Sequence, residues 1–551
     1  MKWQTINKSK NQKFKIKDVI KILLENRGIK TRQQIEEFLD PKLKKNISQL
    51  VSIDKNNLKK AVNRIKLAIK NKEQIVVFGD YDVDGICATT ILWETLNNHG
   101  AKVLPYIPHR VDEGYGLSVT GISNIKNKIP KVELIITVDN GIIANEAVEF
   151  ANKEGIDVII TDHHVPSEKL PKAFSIIHST KVCGAGVSWV LCSELNKKTN
   201  DDQLVLVALA TIADLMPLVG INRAIVKQGI KEIKNTKNTG LLEIIKEAGL
   251  AKENIGVYEI SYIISPRINA SGRIEKAMDS LRLLCTKDKN AARLLAEKLG
   301  RTNKKRQKIT EESLLNAKAK LATQDKKKLI FIYDEIYEQG VIGLVAGKLV
   351  EEYYLPAIVL SKGEKYTKAS ARSISGFNII EFIRQASDFL IDAGGHPMAA
   401  GFTVKTEDLE KIKEKLEGLA EKLLDKERLT KILKIDCELP FSLLNNELFN
   451  EIKRLEPFGM GNPQPVFVSK GLIIKDLRWV GNGNKHLKFR FKGYSPVDSE
   501  SSFQINGIWF NPGNDLKLVV GDKVDVAYIL SENVWNGNSS IELKIKSVKI
   551  T

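Results

Sequence analysis

Short apolar runs that alternate with amphipathic segments and end in acid constrain this chain more than any other feature of its 551 residues. Gln74-Ile75-Val76-Val77-Phe78 stops at Gly79 and leads into Asp80-Tyr81-Asp82-Val83-Asp84-Gly85. Ile86 to His99 then has the spacing of an amphipathic helix closed by Gly100, and Lys102 to Ile107 is strand-like again. The cycle repeats. Val132 to Val138 reads as a strand ending at Asp139-Asn140-Gly141, Asn145 to Glu154 as a helix, and Asp157 to Ile160 as a strand ending at Thr161-Asp162-His163-His164. Strands separated by helices predict a parallel sheet, and ligands of such sheets sit beyond the carboxyl ends of the strands. Asp80, Asp82, Asp84, Asp139, Asp162, His163 and His164 all lie at such ends, so groups distant in sequence are expected on one rim. Asp214, which closes the apolar helix Leu204 to Ala213 before Met216-Pro217-Leu218, is a candidate fourth contributor.

One aspartate after a strand is ordinarily a turn former or a helix N-cap. Four such endings, with two of the chain's seven histidines directly behind one of them, shift the balance. That much acid is not tolerated in a fold without compensation, and the expected compensator is two divalent cations. Carboxylates with one or two imidazoles and no thiolate suit Mn²⁺ or Mg²⁺. Cys87, Cys183, Cys192, Cys285 and Cys437 form no Cys-x-x-Cys pair, which argues against structural zinc and for free thiols in a reducing compartment. Two ions about 3.5–4 Å apart can activate a water and stabilise the leaving oxygen of an in-line displacement at phosphorus. Hydrolysis of a phosphate ester or anhydride is therefore the expected reaction.

Lys and Arg number 85 against 67 Asp and Glu, a formal charge of +18, and a basic surface around an acidic centre fits a polyanionic substrate. The basic N-terminus lacks the apolar segment of a signal peptide. The longest apolar stretch, around Leu204 to Ala213, is too short to span a bilayer. A cytoplasmic, monomeric protein without membrane partners is expected, and the length accommodates three or four domains.

The ordered set Asp80-Tyr81-Asp82-Val83-Asp84-Gly85, Val138-Asp139-Asn140-Gly141, Asp162-His163-His164 and Ala213-Asp214-Leu215-Met216-Pro217-Leu218 resembles the DHH phosphoesterases, and within them the RecJ-type single-strand-specific exonucleases. Asn26-Arg27-Gly28-Ile29 with Glu36-Glu37-Phe38-Leu39-Asp40-Pro41, Pro266-Arg267-Ile268-Asn269-Ala270-Ser271-Gly272-Arg273 and Gly394-Gly395-His396-Pro397-Met398-Ala399-Ala400-Gly401 extend the likeness over nearly the whole chain. The resemblance implies metal ligation by Asp80, Asp82, Asp84, Asp139, His163 and Asp214, with catalysis by Asp82, Asp84, Asp139, His163, His164 and Asp214. His164 would sit close to the scissile phosphate and Asp162 would orient a neighbouring imidazole. Arg267 and Arg273, on a loop with small residues, suit contact with phosphate oxygens. Arg110 and Tyr115, in His109-Arg110-Val111-Asp112-Glu113-Gly114-Tyr115-Gly116, resemble the family's loop at the pocket that receives the 5′ end. The sequence departs from relatives at Tyr337-Glu338, where they tend to carry Trp-His, and between Ile177 and Gly184, which looks short.

The implied organisation is an α/β multidomain chain. It comprises a helical lead-in (1–70), a parallel-sheet DHH domain (71–285), a long connector helix (286–325), a smaller α/β DHH-associated substrate domain (326–430) and a C-terminal OB-type β-barrel (431–551). Leu329 to Tyr333, Ala357 to Leu360 and Lys368 to Ala371 read as strands and Val341 to Tyr353 as a helix. Ser370 and Arg372 present a hydroxyl and a guanidinium together, suited to a terminal phosphate. Gly394, Gly395 and Gly401 offer unhindered amides, and His396 beside them is a candidate substrate contact. Lys287 to Leu321 reads as one helix broken or bent near Gly300, whose basic cluster Lys304-Lys305-Arg306 is a further candidate for backbone contact. From about Leu433, short strands including Val466 to Val468 and Leu472 to Ile474 have the rhythm of a small barrel, with Phe489, Phe491, Trp509 and Trp535 as candidate base-stacking residues, half or more of which are expected in the core.

The resemblance implies a 5′→3′ single-stranded-DNA exonuclease acting in DNA repair and recombination, with single-strand-binding protein and a helicase as candidate partners. The alternatives are a DHH-type oligoribonucleotide or cyclic-dinucleotide phosphodiesterase and a non-catalytic DNA-binding assembly factor.

Overall fold

The structure is a computed structural model in which residues 1–7, 15–43, 47–109, 113–114, 116–197, 200–493, 504–513, 517–535 and 538–551 are described. Contacts divide the chain into two compact units, one of Met1–Lys42, Pro217–Ala224 and Ile432–Thr551, the other of Leu43–Met216 and Ile225–Lys431.

The larger unit opens with the alternating segment. Gln74–Phe78, Lys102–Tyr106, Val132–Val138 and Asp157–Asp162 form a wholly parallel sheet with a fifth strand, Ser175–His178, that the sequence reading lacked. The first strand lies between the second and third, followed by the fourth and fifth, the doubly wound order 2-1-3-4-5. Ile75 to Phe78 are completely buried, as expected for strands covered on both faces. The covering helices include Val83–Asn98, Gly184–Asn196 and Asp201–Ala213, which pack on one another. Helix Lys55–Asn71 is tied to the sheet by Arg64, whose guanidinium meets Glu73 at 2.7 Å and Asp157 at 2.6 Å.

The connector is one unbroken helix of 34 residues, Lys289–Ala322. Gly300 does not break it, contrary to expectation. A Cβ there would lie 2.0 Å from Glu247 Oε1, so the glycine makes room for a close neighbour. Beyond it, a second sheet has the order Leu390–His396, Ala399–Lys405, Tyr366–Arg372, Ala357–Ser361, Ile330–Asp334, with only the last pair parallel. The glycine-rich signature forms the outer hairpin of this sheet.

In the other unit, Phe467–Val480, His486–Lys492, Gln504–Phe510, Asn538–Ile550 and Lys523–Trp535 pair in that order, and the last pairs back to the first, closing an OB-type barrel. The two short strands expected at 466–468 and 472–474 are one strand with a register shift between Ser469 and Leu472, where Gly471 takes φ +64°. Phe489 and Phe491 stack on each other inside the barrel and are buried. They are core residues, two of the four candidates of which half or more were expected in the core. Trp509 is half-buried, and the side chain of Trp535 lies outside the described residues.

The lead-in is not one piece. Lys2–Thr5 is a strand paired in parallel with Ile432–Ile435, and Met1–Lys42 belongs with the barrel. Arg223 ties this unit together. Its buried guanidinium donates to the carbonyls of Phe38 (2.7 Å), Leu455 (3.0 Å), Glu456 (2.7 Å) and Pro457 (3.2 Å) and lies over the Phe38 ring. Arg223→Leu leaves those acceptors unsatisfied and is expected to destabilise the unit by at least about 3 kcal/mol. Denaturant unfolding followed by tryptophan fluorescence checks this, and an unchanged midpoint would refute the role.

Candidate metal centre

Three strand ends, those of Gln74–Phe78, Val132–Val138 and Asp157–Asp162, and the end of helix Asp201–Ala213 deliver the acidic groups. Helix Val83–Asn98 is capped by Asp82, whose carboxylate accepts from the Gly85 amide at 3.1 Å. Gly85 is required because a Cβ would come within 2.6 Å of Asp80 Cβ. The next acid, Asp84, is buried in the first turn, and its two oxygens accept from the Gly184 and Ala185 amides, both at 2.7 Å. Those amides open helix Gly184–Asn196, so its N-terminal partial charge partly offsets the carboxylate.

Asp139, at the end of the third strand, takes φ +63°, an uncommon conformation for a side-chain-bearing residue. Its buried Oδ1 has no hydrogen-bond partner and lies 3.1 Å from His163 Nε2. A Cβ on Gly184 would reach to 2.5 Å from that oxygen. The same imidazole nitrogen is 3.7 Å from Asp84 Oδ2 and 3.8 Å from Asp214 Oδ2. Asp162 stands behind. Its Oδ1 accepts from the His163 and His164 amides and from His164 Nδ1 at 2.8 Å, while Oδ2 accepts from the Ile142 amide. His164 is thereby the oriented imidazole, with Nε2 turned away from Asp162.

The electrostatics are those of an uncompensated acidic cluster. Burial, then the neighbouring Asp84, pushes the carboxyls of Asp82 and Asp139 up, and Asp214 to about 8. Burial holds His163 below the ordinary imidazole value. Burial also acts to lower His164, but its hydrogen bond to Asp162 outweighs this and raises it to about 9. Asp162, against its own burial, is held low by His164.

Among the described residues, three groups have ligand-capable atoms within 4.8 Å of one another: Asp80, Asp82 and Asp139; Asp139, His163 and His164; and Asp84, His163 and Asp214. Hard oxygen donors, one or two imidazoles and an orphaned carboxylate oxygen fit divalent cations such as Mn²⁺ or Mg²⁺. The cluster follows the first and third strands, the neighbours at which the strand order reverses, where doubly wound sheets bind ligands.

The expected substrate residues divide. Arg267 is not on a loop: it lies in helix Ser265–Ile274, donates from Nε to Glu247 at 2.7 Å and from Nη1 to the Ile263 carbonyl, and so is engaged within the scaffold. Arg273, at the end of that helix, reaches the Gly340 carbonyl at 3.3 Å. Arg372 donates to Ser370 Oγ at 3.2 Å. A Cβ on Gly343 would come within 3.0 Å of both side chains, which brings the first turn of helix Ile342–Tyr353 against them, an arrangement suited to an anion. Gly394, Gly395 and His396 are exposed on the outer strand Leu390–His396. Gly395, at φ +144°, leaves no room for a side chain beside the Ala399 carbonyl. Tyr337 is buried and donates to Asn316, whereas Glu338 is exposed. Arg110 and Tyr115 lie outside the described residues.

Sequence reasoning missed Asn269, whose Oδ1 accepts from the Val83 amide at 2.9 Å and so holds the first turn that carries Asp82 and Asp84. Its only signal was membership of the Pro266–Arg273 motif. Asn269→Ala is expected to weaken Mn²⁺ affinity and kcat about 10–100-fold, the range for groups that orient ligands. Titration calorimetry and steady-state kinetics check this, and wild-type values for both would exclude it.

With this geometry in place, comparison with known proteins is specific. Residues 74–217 match the DHH family N-terminal domain, 326–422 the DHHA1 domain and 435–547 the RecJ OB domain. The single-stranded-DNA-specific exonuclease RecJ of Bacillus subtilis is 34% identical, over 99% of this chain and 69% of its own length. That of Thermus thermophilus is 33% identical, over 92% and 72%. The crystal structure of Thermus thermophilus RecJ with Mn²⁺ superposes with a TM-score of 0.83 at 30% identity, covering 100% of this chain and 79% of the other. The Mg²⁺ complex gives 0.78 at 29% identity, covering 100% and 78%. These matches run along the whole chain, and this chain belongs to the RecJ family of DHH exonucleases.

Proposed function

We propose that the protein is a 5′→3′ single-stranded-DNA exonuclease that hydrolyses phosphodiester bonds at a two-cation centre. The observation that carries this is the grouping of Asp139 with Asp80 and Asp82 on one side and, 3.1 Å from its Oδ1, with His163 on the other, which is itself grouped with Asp84 and Asp214. Two bound cations supply an activated water and stabilise the leaving oxygen. The chain's residues do the rest. Asp80, Asp82, Asp84, Asp139, His163 and Asp214 hold the cations, and Asp162 holds the His164 ring so that its protonated imidazole offsets charge on the phosphate. Arg273, Ser370, Arg372 and the first-turn amides of Ile342–Tyr353 bind phosphate oxygens, Gly394, Gly395 and His396 border the strand, and Arg110 and Tyr115 take the 5′ end. The barrel, in a chain of charge +18, adds contacts to a longer strand. DNA repair and recombination, with a single-strand-binding protein and a helicase, is the setting in which a monomeric cytoplasmic enzyme of this kind acts. Among the described residues no helix is long and apolar enough to cross a membrane.

The test is incubation with Mn²⁺ and 5′- or 3′-labelled single strands, duplexes and dinucleotides, with Asp82→Ala/Asp84→Ala as control. Mononucleotide release from the 5′ end of single strands, absent in the variant, is expected. Preferred cleavage of dinucleotides would replace this reading with that of a short-oligonucleotide phosphodiesterase, and binding without cleavage with that of an assembly factor.

A further inference from the structure

Two large aromatic side chains stand in solvent where neither core packing nor the proposed chemistry needs them. Tyr258 and Tyr262 are 61% and 70% exposed, and their rings meet each other at 5.0 Å between centroids, tilted by 36°. They lie on a helical run that continues without a break through Val257–Glu259, the π-helical turn Ile260–Ile264 and Ser265–Ile274. π-turns within helices are rare and concentrate at functional sites. Tyr262, Pro266, Asn269 and Arg273 are spaced by three or four residues and so share one face. Pro266, Asn269 and Arg273 are each partly exposed. That face ends at the metal centre, because Asn269 holds the Val83 amide and Gly272 packs against the Tyr81 carbonyl.

We propose that Tyr258 and Tyr262 form a stacking platform for bases of the single strand, placed a few nucleotides from the bond that is cut. At the α-helical 1.5 Å per residue, Tyr262 lies at most about 10 Å along the helix from Asn269 and Tyr258 at most about 16 Å, the wider π turn shortening both. At the 3.4 Å spacing of stacked nucleotides this is roughly three to five residues of the strand. Adjacent rings on a helix surface suit bases of any sequence, since every base offers a π face. Continuity with the segment Asp80 to Asp84, through Asn269 and Gly272, favours the substrate itself over a separate partner as occupant. The inference rests on the exonuclease reading above and adds to it a determinant of minimum substrate length.

The experiment uses the full chain with Mn²⁺ and single-stranded oligonucleotides of about two to twelve nucleotides sharing one 5′ sequence. Wild-type kcat/KM is expected to climb once the strand is long enough to reach the rings. Tyr258→Ala/Tyr262→Ala is expected to flatten that climb, losing about tenfold or more on the longest strand and less than about twofold on the shortest. Tyr258→Phe/Tyr262→Phe is expected to keep the wild-type profile. An alanine variant with the wild-type length profile, or a phenylalanine variant as impaired as the alanine one, would overturn the platform. A wild-type protein that degrades no strand of any length would overturn the exonuclease reading itself, a result distinct from either.

Discussion

Asp139→Asn is expected to lower turnover of single-stranded DNA by about 10³-fold or more, several kcal/mol of transition-state stabilisation, while strand affinity changes by less than about threefold. The substitution preserves shape and removes one charge. Among the described residues, Asp139 belongs to two of the three ligand-capable groups, so its loss disturbs both cation positions. Its buried Oδ1 has no hydrogen-bond partner and faces the His163 ring, 3.1 Å from Nε2. Affinity is expected to be spared because contacts of basic groups with phosphates dominate binding to a polyanion. Initial rates on a 5′-labelled strand, paired with fluorescence anisotropy on the same strand, separate the two effects. A variant with more than about a tenth of wild-type turnover, or one that loses binding and turnover in parallel, would dissolve the division of labour between cations and surface.

What was legible in the sequence is what a parallel sheet imposes. Apolar runs such as Val132–Val138 had to be strands, strand ends in such a sheet share a rim, and Asp80, Asp139 and Asp162 therefore had to converge. The partners of those acids were not legible. Asn269 is 186 positions from Val83, and nothing in a side-chain amide announces which backbone it caps. The Gly184 and Ala185 amides that hold Asp84 carry no side-chain signal at all. Arg267 was misread because a cation on a small-residue segment looks free until its partner, Glu247, is brought beside it by tertiary packing. Gly300 was misread for the same reason: propensity sees a helix breaker, whereas the structure uses its missing Cβ for Glu247. Ser175–His178 escaped notice because four residues are too few for a period to show. Phe489 and Phe491 follow the strand alternation faithfully, but alternation marks two faces of a barrel strand without saying which is inside.

Chelating metal should destabilise the larger unit in a way that depends on pH with a definite sign. Asp139 and Asp214 have folded pKa values above the ordinary carboxylate range, Asp214 at about 8, and His164 is raised to about 9. In metal-free protein these groups take up protons on folding, so their contribution is present at low pH and is lost as pH rises through those values. His163, held low, contributes the opposite slope around the ordinary imidazole value, but it is one group against several. Thermal stability in EDTA is therefore expected to fall between about pH 6 and pH 9. Divalent cations bind the deprotonated carboxylates. Stabilisation by Mn²⁺ should accordingly grow over the same range, reaching about 2.7 kcal/mol where the ion is at a hundred times its dissociation constant. Differential scanning calorimetry at several pH values with EDTA or Mn²⁺ measures both slopes. Asp139→Asn, which lacks one of the competing charges, should lose part of the pH-dependent fall in EDTA and part of the Mn²⁺ gain together. A wild-type melting temperature in EDTA that is flat or rising over this range, or one that Mn²⁺ leaves unchanged, would mean that these carboxylates are neutralised by something other than a cation.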